Sequence, residues 1–450
     1  MSSSDHTMDV QAVQDSLQET AAEAVRIARS LGAHQAEAGL SFDEGLSVTV
    51  RMGELESVER QRDRSLGITV YVDGRKGSAT TTQASAQALQ ETAGKALSIA
   101  RFTTEDEYAG LADEDLMARE VPDLDLYHPW DLTIESAEAL GLEAEDAARH
   151  YDARITNSEG ATVSTGGGVY VYANSHGFSG GYATTSHSIG CGVIAEGDDV
   201  LERDAWYTSA RDSKGLEDAA QVGEQAAGRT LRRLGARQLK TRQVPVVYPA
   251  ELARGLFGHL IAAIRGTSQY RGASFLLNAR GESVFPSTVQ VEEDPFIPGA
   301  MASAPFDNEG VATRKRTLVD AGVLQGYVLS SYSARRLGLV TTGNAGGIHN
   351  LVVKPTAGGL EELLGEHPSV FLVGELLGQG VNTVTGDYSR GAAGFWVEGG
   401  EIVHAVHEVT IAGNLRDCFQ GIQAIGSDVD LRGTVRCGSV LVDGLTVAGN

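Results

Sequence analysis

GLSVTVRMGELESVERQ, residues 45–61, alternates apolar and polar side chains up to Met52-Gly53 and resumes as an extended polar run beyond them. A period of two is the signature of a strand with one buried face. A dipeptide ending in glycine between two such runs predicts a hairpin turn, because glycine tolerates positive φ. AEAGLSF (36–42) precedes this stretch, and SLGITVYVDGRKGSATTT (65–82) follows it with a second turn at Asp73-Gly74. The expectation is a series of consecutive antiparallel strands.

Helices flank them. VQAVQDSLQETAAEAVRIARSLG (10–32) repeats apolar residues at three and four and stops at Gly32, after a polar start expected to be disordered. SAQALQETAGKALSIARF (85–102) repeats the pattern, giving a first α+β lobe over 1–125. VPDLDLYHPWDLT (121–133) leads into a third helix, IESAEALGLEAEDAARHY (134–151), and strands return through residues 155–197. A helix from about Gly215 to Leu234 closes a second lobe, 126–238, before the charged LGARQLKTRQVP (234–245).

Beyond that boundary a C-terminal β-rich domain is expected over 239–450. VPVVYPA (244–250) is a buried type of strand that runs into an apolar helix, and a further helix is expected at YSARRLG (332–338). GFWVEGGEIVHAVHEVTIAG (394–413) and TVRCGSVLVDGLTVAG (434–449) read as β-hairpins. The fold class is α+β with antiparallel sheets, and no repeat of fixed period appears.

Charge narrows the partners. The 450 residues carry 36 Lys and Arg against 60 Asp and Glu, a net charge of −24. That field repels phosphate backbones and anionic lipid, which argues against nucleic acid and membrane surfaces and suits a cationic or neutral peptide. The short basic run ATRKRT (312–317) does not reverse it. Cys191, Cys418 and Cys437 are too few and scattered for a disulfide framework. With no secretory signal and no apolar run near the roughly 20 residues of a membrane span, a soluble cytoplasmic protein is expected.

The apolar helix after VPVVYPA contains FGHLIAAIRG (257–266), with one histidine, no glutamate beside it and no second histidine a turn later. Catalytic zinc needs about three protein donors, an open position for water and a carboxylate to take the proton. His404, His407 and Glu408 lie close in sequence, but residues three apart on a strand point to opposite faces. His349 sits in the glycine-rich GNAGGIHN (343–350), where backbone can approach a ligand closely or simply turn. Asp387, Tyr388 and Arg390 in TGDYSRG (385–391) either line a cavity, with the arginine taking a terminal carboxylate, or pair Asp387 with Arg390 across a tight turn. No Gly-x-Ser-x-Gly elbow or nucleotide P-loop is present, and Cys191 lacks charged neighbours that would activate a thiol.

Several long strings carry a resemblance: YRGASFLLNARGESVFP (270–286), APFDNEGVATRKRTLVDAGVLQGYVLSSYSARRLG (304–338), TTGNAGGIHN (341–350) and GELLGQGVNTVTGDYSRGAAGFWVEGGEI (374–402). With ITNSEG (155–160) and AGNL (412–415), they closely resemble the TldD/PmbA family of metallopeptidases, and within it the PmbA (TldE) branch. The resemblance spans nearly the whole chain. It implies a heterodimeric cytosolic protease that degrades peptides in a chamber, with zinc held by a TldD-type partner on a His-Glu-x-x-x-His helix and a C-terminal cysteine.

By placement, residues 257–266 stand where that helix would lie. One register puts Phe257, Gly258 and Ala262 at its His, Glu and His positions, and the other Gly258, His259 and Ala263; neither supplies a metal ligand pair. Cys437 resembles the ligand cysteine, or is a small buried residue of a strand. No cofactor is therefore expected in this chain, and His349, Asp387, Tyr388 and Arg390 are the substrate-binding candidates. Two alternatives stand beside this reading. One is a self-sufficient metallohydrolase that joins Cys437 to His349 or His404; the other is a non-catalytic homodimer that binds a peptide or partner, in keeping with the family's association with gyrase modulation.

Overall fold

A computed structural model describes residues 9–197 and 200–449; the expected disorder of the first eight residues lies outside them. Met52 and Gly53 take φ of 54° and 81°, and Asp73 and Gly74 take 48° and 69°. Positive φ at both central residues gives a two-residue turn whose twist matches the strands it joins. These turns connect β1 (Gln35–Arg51), β2 (Glu54–Val72) and β3 (Arg75–Thr81). AEAGLSF and GLSVTVR are thus one strand, because Asp43-Glu44-Gly45 continues the extended register instead of turning.

β4 (Ile155–Asn174), β5 (Ser179–Gly197) and β6 (Val200–Ala210) complete one antiparallel sheet in the order β3-β2-β1-β4-β5-β6. The charged VLERDAWYTSA of β6 hides its alternation from a sequence reading. β1 pairs with β4 from Glu37↔Asn174 to Val50↔Ala161, so both lobes share a continuous sheet.

Four helices cover a single face of that sheet: α1 (Val10–Ser30), α2 (Ala86–Phe102), α3 (Ile134–His150) and α4 (Ala219–Arg233). Each begins where a side chain caps the first free N–H groups, supplied by Asp9, Ser85, Thr133 and Asp218. The even-numbered residues of β1 bury against them, Ala36 to Phe42 under α1 and α2, and Leu46 to Val50 under α3 and α4. At the α3–α4 crossing Gly223 lets the backbones touch; a Cβ there would lie 2.0 Å from the Ala144 carbonyl oxygen.

In the C-terminal domain, eight strands form one sheet. In chain order they are β7 (Arg242–Gln243), β8 (Val246–Tyr248), β13 (Ser369–Leu377), β14 (Asp387–Glu398), β15 (Glu401–Asn414), β16 (Ile422–Ile425), β18 (Val440–Val442) and β19 (Thr446–Ala448). A smaller sheet holds β9 (Val291–Glu293), β10 (Arg316–Asp320), β11 (Val323–Leu324), β12 (Leu351–Val353) and β17 (Val435–Arg436). The hairpin expected at 394–413 is present as β14–β15. The one expected at 434–449 is not: β18 pairs with β16 and β8, while β19 joins β15 and β7 across the sheet. Where a short strand pairs depends on the neighbours that tertiary packing offers it, and here those neighbours come from elsewhere in the chain.

α5 (Ala250–Ile264) follows β8 as expected, and α6 (Gly266–Tyr270), α7 (Ser331–Arg336), α8 (Leu360–Gly365) and α9 (Leu415–Gln420) are short. α5 buries Phe257, Leu260 and Ile264 in the largest core, while α8 covers part of the opposite face of the eight-stranded sheet. No helix among the described residues is long and apolar enough to cross a membrane.

The N-terminal region docks on this domain through several contacts, among them an aromatic cluster and two arginines of α4. Phe306 inserts among Tyr170, Phe178 and Tyr182, with ring centroids 5.2–6.5 Å apart. Arg229 and Arg233, one turn apart on α4, reach Glu251 on α5 at 2.8 Å and Glu375 on β13 at 2.6 Å.

Candidate functional site

α5 presents its donor-poor stretch at the surface of a small polar cluster. Phe257 is buried and stacked on Phe285, with centroids 6.0 Å apart, and Ala263 is fully buried. Gly258 is exposed, with open space where a side chain would begin, and Ala262 is half-buried. Neither register of the helix brings an imidazole and a carboxylate together.

His259 is half-buried and meets Tyr388 edge-on at 6.1 Å. Burial lowers its pKa, and the positive charge of Arg390 lowers it further. Tyr388 is buried and accepts a long hydrogen bond of 3.5 Å from Tyr248. Arg390 donates to the Leu377 carbonyl at 3.1 Å, and Asp387 accepts from Thr385 at 2.6 Å. Asp387 and Arg390 therefore do not pair. They lie on the extended strand β14, which takes their side chains apart, and the tight turn suggested for them is absent.

Tyr388 and Arg390 thus gather beside His259, whereas His349 belongs elsewhere. Its backbone N–H donates to Glu293 at 2.9 Å, and its Nε2 lies 3.0 Å from the Gly343 carbonyl. Glu293, buried and paired with Arg316 at 2.6 Å, also accepts from Asn344 and so organises the whole glycine loop. His349, Gly346 and Gly347 line a cavity of about 350 Å³ against the first sheet.

The metal candidates stay dispersed. Cys437 is fully buried, its thiol turned to the Gly438 carbonyl at 3.1 Å, and burial pushes its pKa up. Burial likewise pushes the Cys191 and Cys418 thiols up to about 12. His404 bonds the Ala405 carbonyl at 3.0 Å; His407 lines a separate cleft of about 850 Å³ between α4 and the domain below it. Among the described residues no three His, Cys, Asp or Glu side chains form a metal-binding group. The alternative in which folding joins Cys437 to His349 or His404 is not realised: the thiol faces backbone, and each histidine is held by its own carbonyl. The donor set at α5 does not fit zinc.

Sequence reasoning missed Glu293, because a three-residue strand bearing two glutamates reads as surface. It also missed Asp307, which accepts three backbone N–H groups from Glu309, Val311 and Ala345. Burial and nearby Glu309 nevertheless push the Asp307 carboxyl up to about 7. The Asp-Asn-Glu-Gly spelling of a loop was its one signal.

Comparison with known proteins adds to this geometry. The chain matches the PmbA/TldA metallopeptidase domain 1 over 36–100, the central domain over 127–234 and the C-terminal domain over 241–449. It is 47% identical to the metalloprotease PmbA of Escherichia coli O157:H7 over 92% of each chain. It is 44% identical to a PmbA homologue of Haemophilus influenzae over 98% of each. A crystal structure from Bacteroides thetaiotaomicron, described as a proposed modulator of DNA gyrase, superposes with a TM-score of 0.92 at 26% identity, covering 97% of this chain and 100% of that one. TldE from Thermococcus kodakarensis shares the fold, with a TM-score of 0.81 at 20% identity over 94% of this chain and 99% of its own.

Proposed function

Since the chain belongs to the PmbA/TldD family of metallopeptidases, we propose that it is the zinc-free subunit of a two-component cytosolic protease. It shapes and closes a chamber in which a zinc-bearing, TldD-type partner cuts unfolded peptides. The observation that carries this reading is the donor chemistry of α5. A helix offering phenyl, hydrogen and methyl groups where imidazole and carboxylate are required can neither hold a divalent ion nor activate its water.

When zinc is bound in the partner, it supplies the Lewis acid and the hydroxide nucleophile. The residues of this chain would bind and orient. Arg390 offers a fork for a peptide carboxylate, and the half-buried ring of His259, backed edge-on by the buried Tyr388, stands beside it. Strand addition is the natural grip for an extended peptide. β2 offers such an edge, since β3 pairs only with Leu66–Val72 and leaves residues 54–65 with β1 on one side alone.

The test is to purify the chain alone and together with a TldD-type partner, measuring zinc content and peptide turnover. We expect zinc and turnover only when the partner is present. Stoichiometric zinc with turnover by the lone chain would overturn the proposal, and recovery of self-copies alone would favour a non-catalytic homodimer.

A further inference from the structure

The face of the first sheet that the four helices leave free carries opposite charges that the fold leaves apart. Asp43 on β1 and Asp63 on β2 are directly opposite one another, two like charges on neighbouring strands. Such a pairing is unfavourable unless a cation comes between them. Both are exposed, and among the described residues neither carboxylate has a hydrogen-bond or ion-pair partner.

Arg211 shows the converse. Its guanidinium is half-buried and donates to two carbonyl oxygens, of Thr185 and Met301, each at 2.7 Å. Its Nε is buried and finds no hydrogen-bond partner. Among the described residues no carboxylate lies within ion-pair distance of it. Carbonyl dipoles leave the positive charge uncompensated, and a half-buried cation without a counter-ion is costly.

Asp43 and Arg211 both line the 350 Å³ cavity and the 470 Å³ cavity next to it, and Asp63 lines the second. The wall beside them is aromatic, built from Tyr170, Tyr182 and Phe306. The carboxyl group of Asp307 also reaches the first cavity, but three backbone donors already occupy its oxygens.

We propose that these joined cavities bind a small zwitterion, a free amino acid or dipeptide with an aromatic side chain. Its ammonium is held by Asp43 with Asp63, its carboxylate by Arg211 and its ring by the Tyr170–Tyr182–Phe306 wall. A ligand with one charge would satisfy one end and leave the other uncompensated, whereas a zwitterion neutralises both. The site is made wholly by this chain, and the inference does not rest on the proposed partnership.

The test titrates the full-length chain with L-phenylalanine and with Gly-Phe by calorimetry, beside N-acetyl-Gly-Phe and Gly-Phe amide. We expect saturable binding of at least one free zwitterion, weakened roughly tenfold or more by either block, since each removes a charge-assisted contact. Asp43→Asn should weaken the free ligand and leave the acetylated one unchanged. Arg211→Gln should weaken the free ligand and spare the amide, with circular dichroism checking that the fold survives. Absence of saturable binding by both zwitterions at about 10 mM, far above a millimolar dissociation constant, overturns the proposal. So does equal binding of free and blocked forms. A phenylalanine-only response would mark an amino-acid site, and a Gly-Phe-only response a dipeptide site.

Discussion

At the scale of single residues, His259 shows what the helix has become. It stands at the glutamate position in one register, and burial and the charge of Arg390 both disfavour its protonated form. The folded pKa is therefore below the ordinary 6.5. The folded chain holds a neutral ring where the unfolded chain begins to take up a proton. The stability this contributes is present above pH 6.5 and is lost as pH falls through 6.5 toward the folded value. An NMR titration should place the His259 midpoint below 6.5, and Arg390→Gln should move it upward by removing a like charge. A midpoint at or above 6.5 in the unaltered chain would show that the ring is solvated or acid-paired. The composition of this helix was legible in the sequence, because missing donors are visible as letters. The neighbours of His259 were not, since Tyr388 lies 129 positions away and meets it only through the pairing of β13 and β14.

Secondary-structure elements were read well where their signals are local. Met52-Gly53 and Asp73-Gly74 fixed two turns, and apolar periodicity placed the helices at 85–102 and 134–151, whose caps are Ser85 and Thr133. β18 and β19 failed because nothing within 434–449 states which of two distant strands each will meet. Close approach between elements was equally invisible. Gly223, in QVGEQ, looks like a blemish in a helix, yet it is the contact point of α4 on α3. Gly223→Val would drive a side chain into the Ala144 carbonyl, and overpacking of this kind destabilises by about 2–3 kcal/mol. Urea denaturation should register that as a lowered midpoint with an unchanged slope. An unchanged midpoint would mean that the crossing is looser than a 2.0 Å approach allows.

For the molecule as a whole, the division into an N-terminal α+β region and a β-rich domain could be read from periodicity, but the seam could not. Asp43 and Arg211 are 168 positions apart and face common cavities through strand order and docking. Phe306 is one apolar tie across that seam, fully buried in a ring of three aromatic side chains. Phe306→Ala should remove about 3–5 kcal/mol. Because that loss falls on the junction, calorimetry should resolve one thermal transition into two. A single transition merely shifted downward would show that the polar contacts across the seam, those of Arg211, Arg229, Arg233, Arg335 and Arg432 among them, keep the halves coupled without it.

The strand partnership between β1 and β4 also bears on how the chain is made. A ribosome delivers residues in order, and β1 emerges more than a hundred residues before β4 can flank it. Until then the nascent chain exposes a long hydrogen-bonding margin to the crowded cell. The hairpin of β1 with β2, roofed by α1 and α2, must wait half-finished during translation, so nascent-chain chaperones should meet this protein most during synthesis of residues 82 to 155.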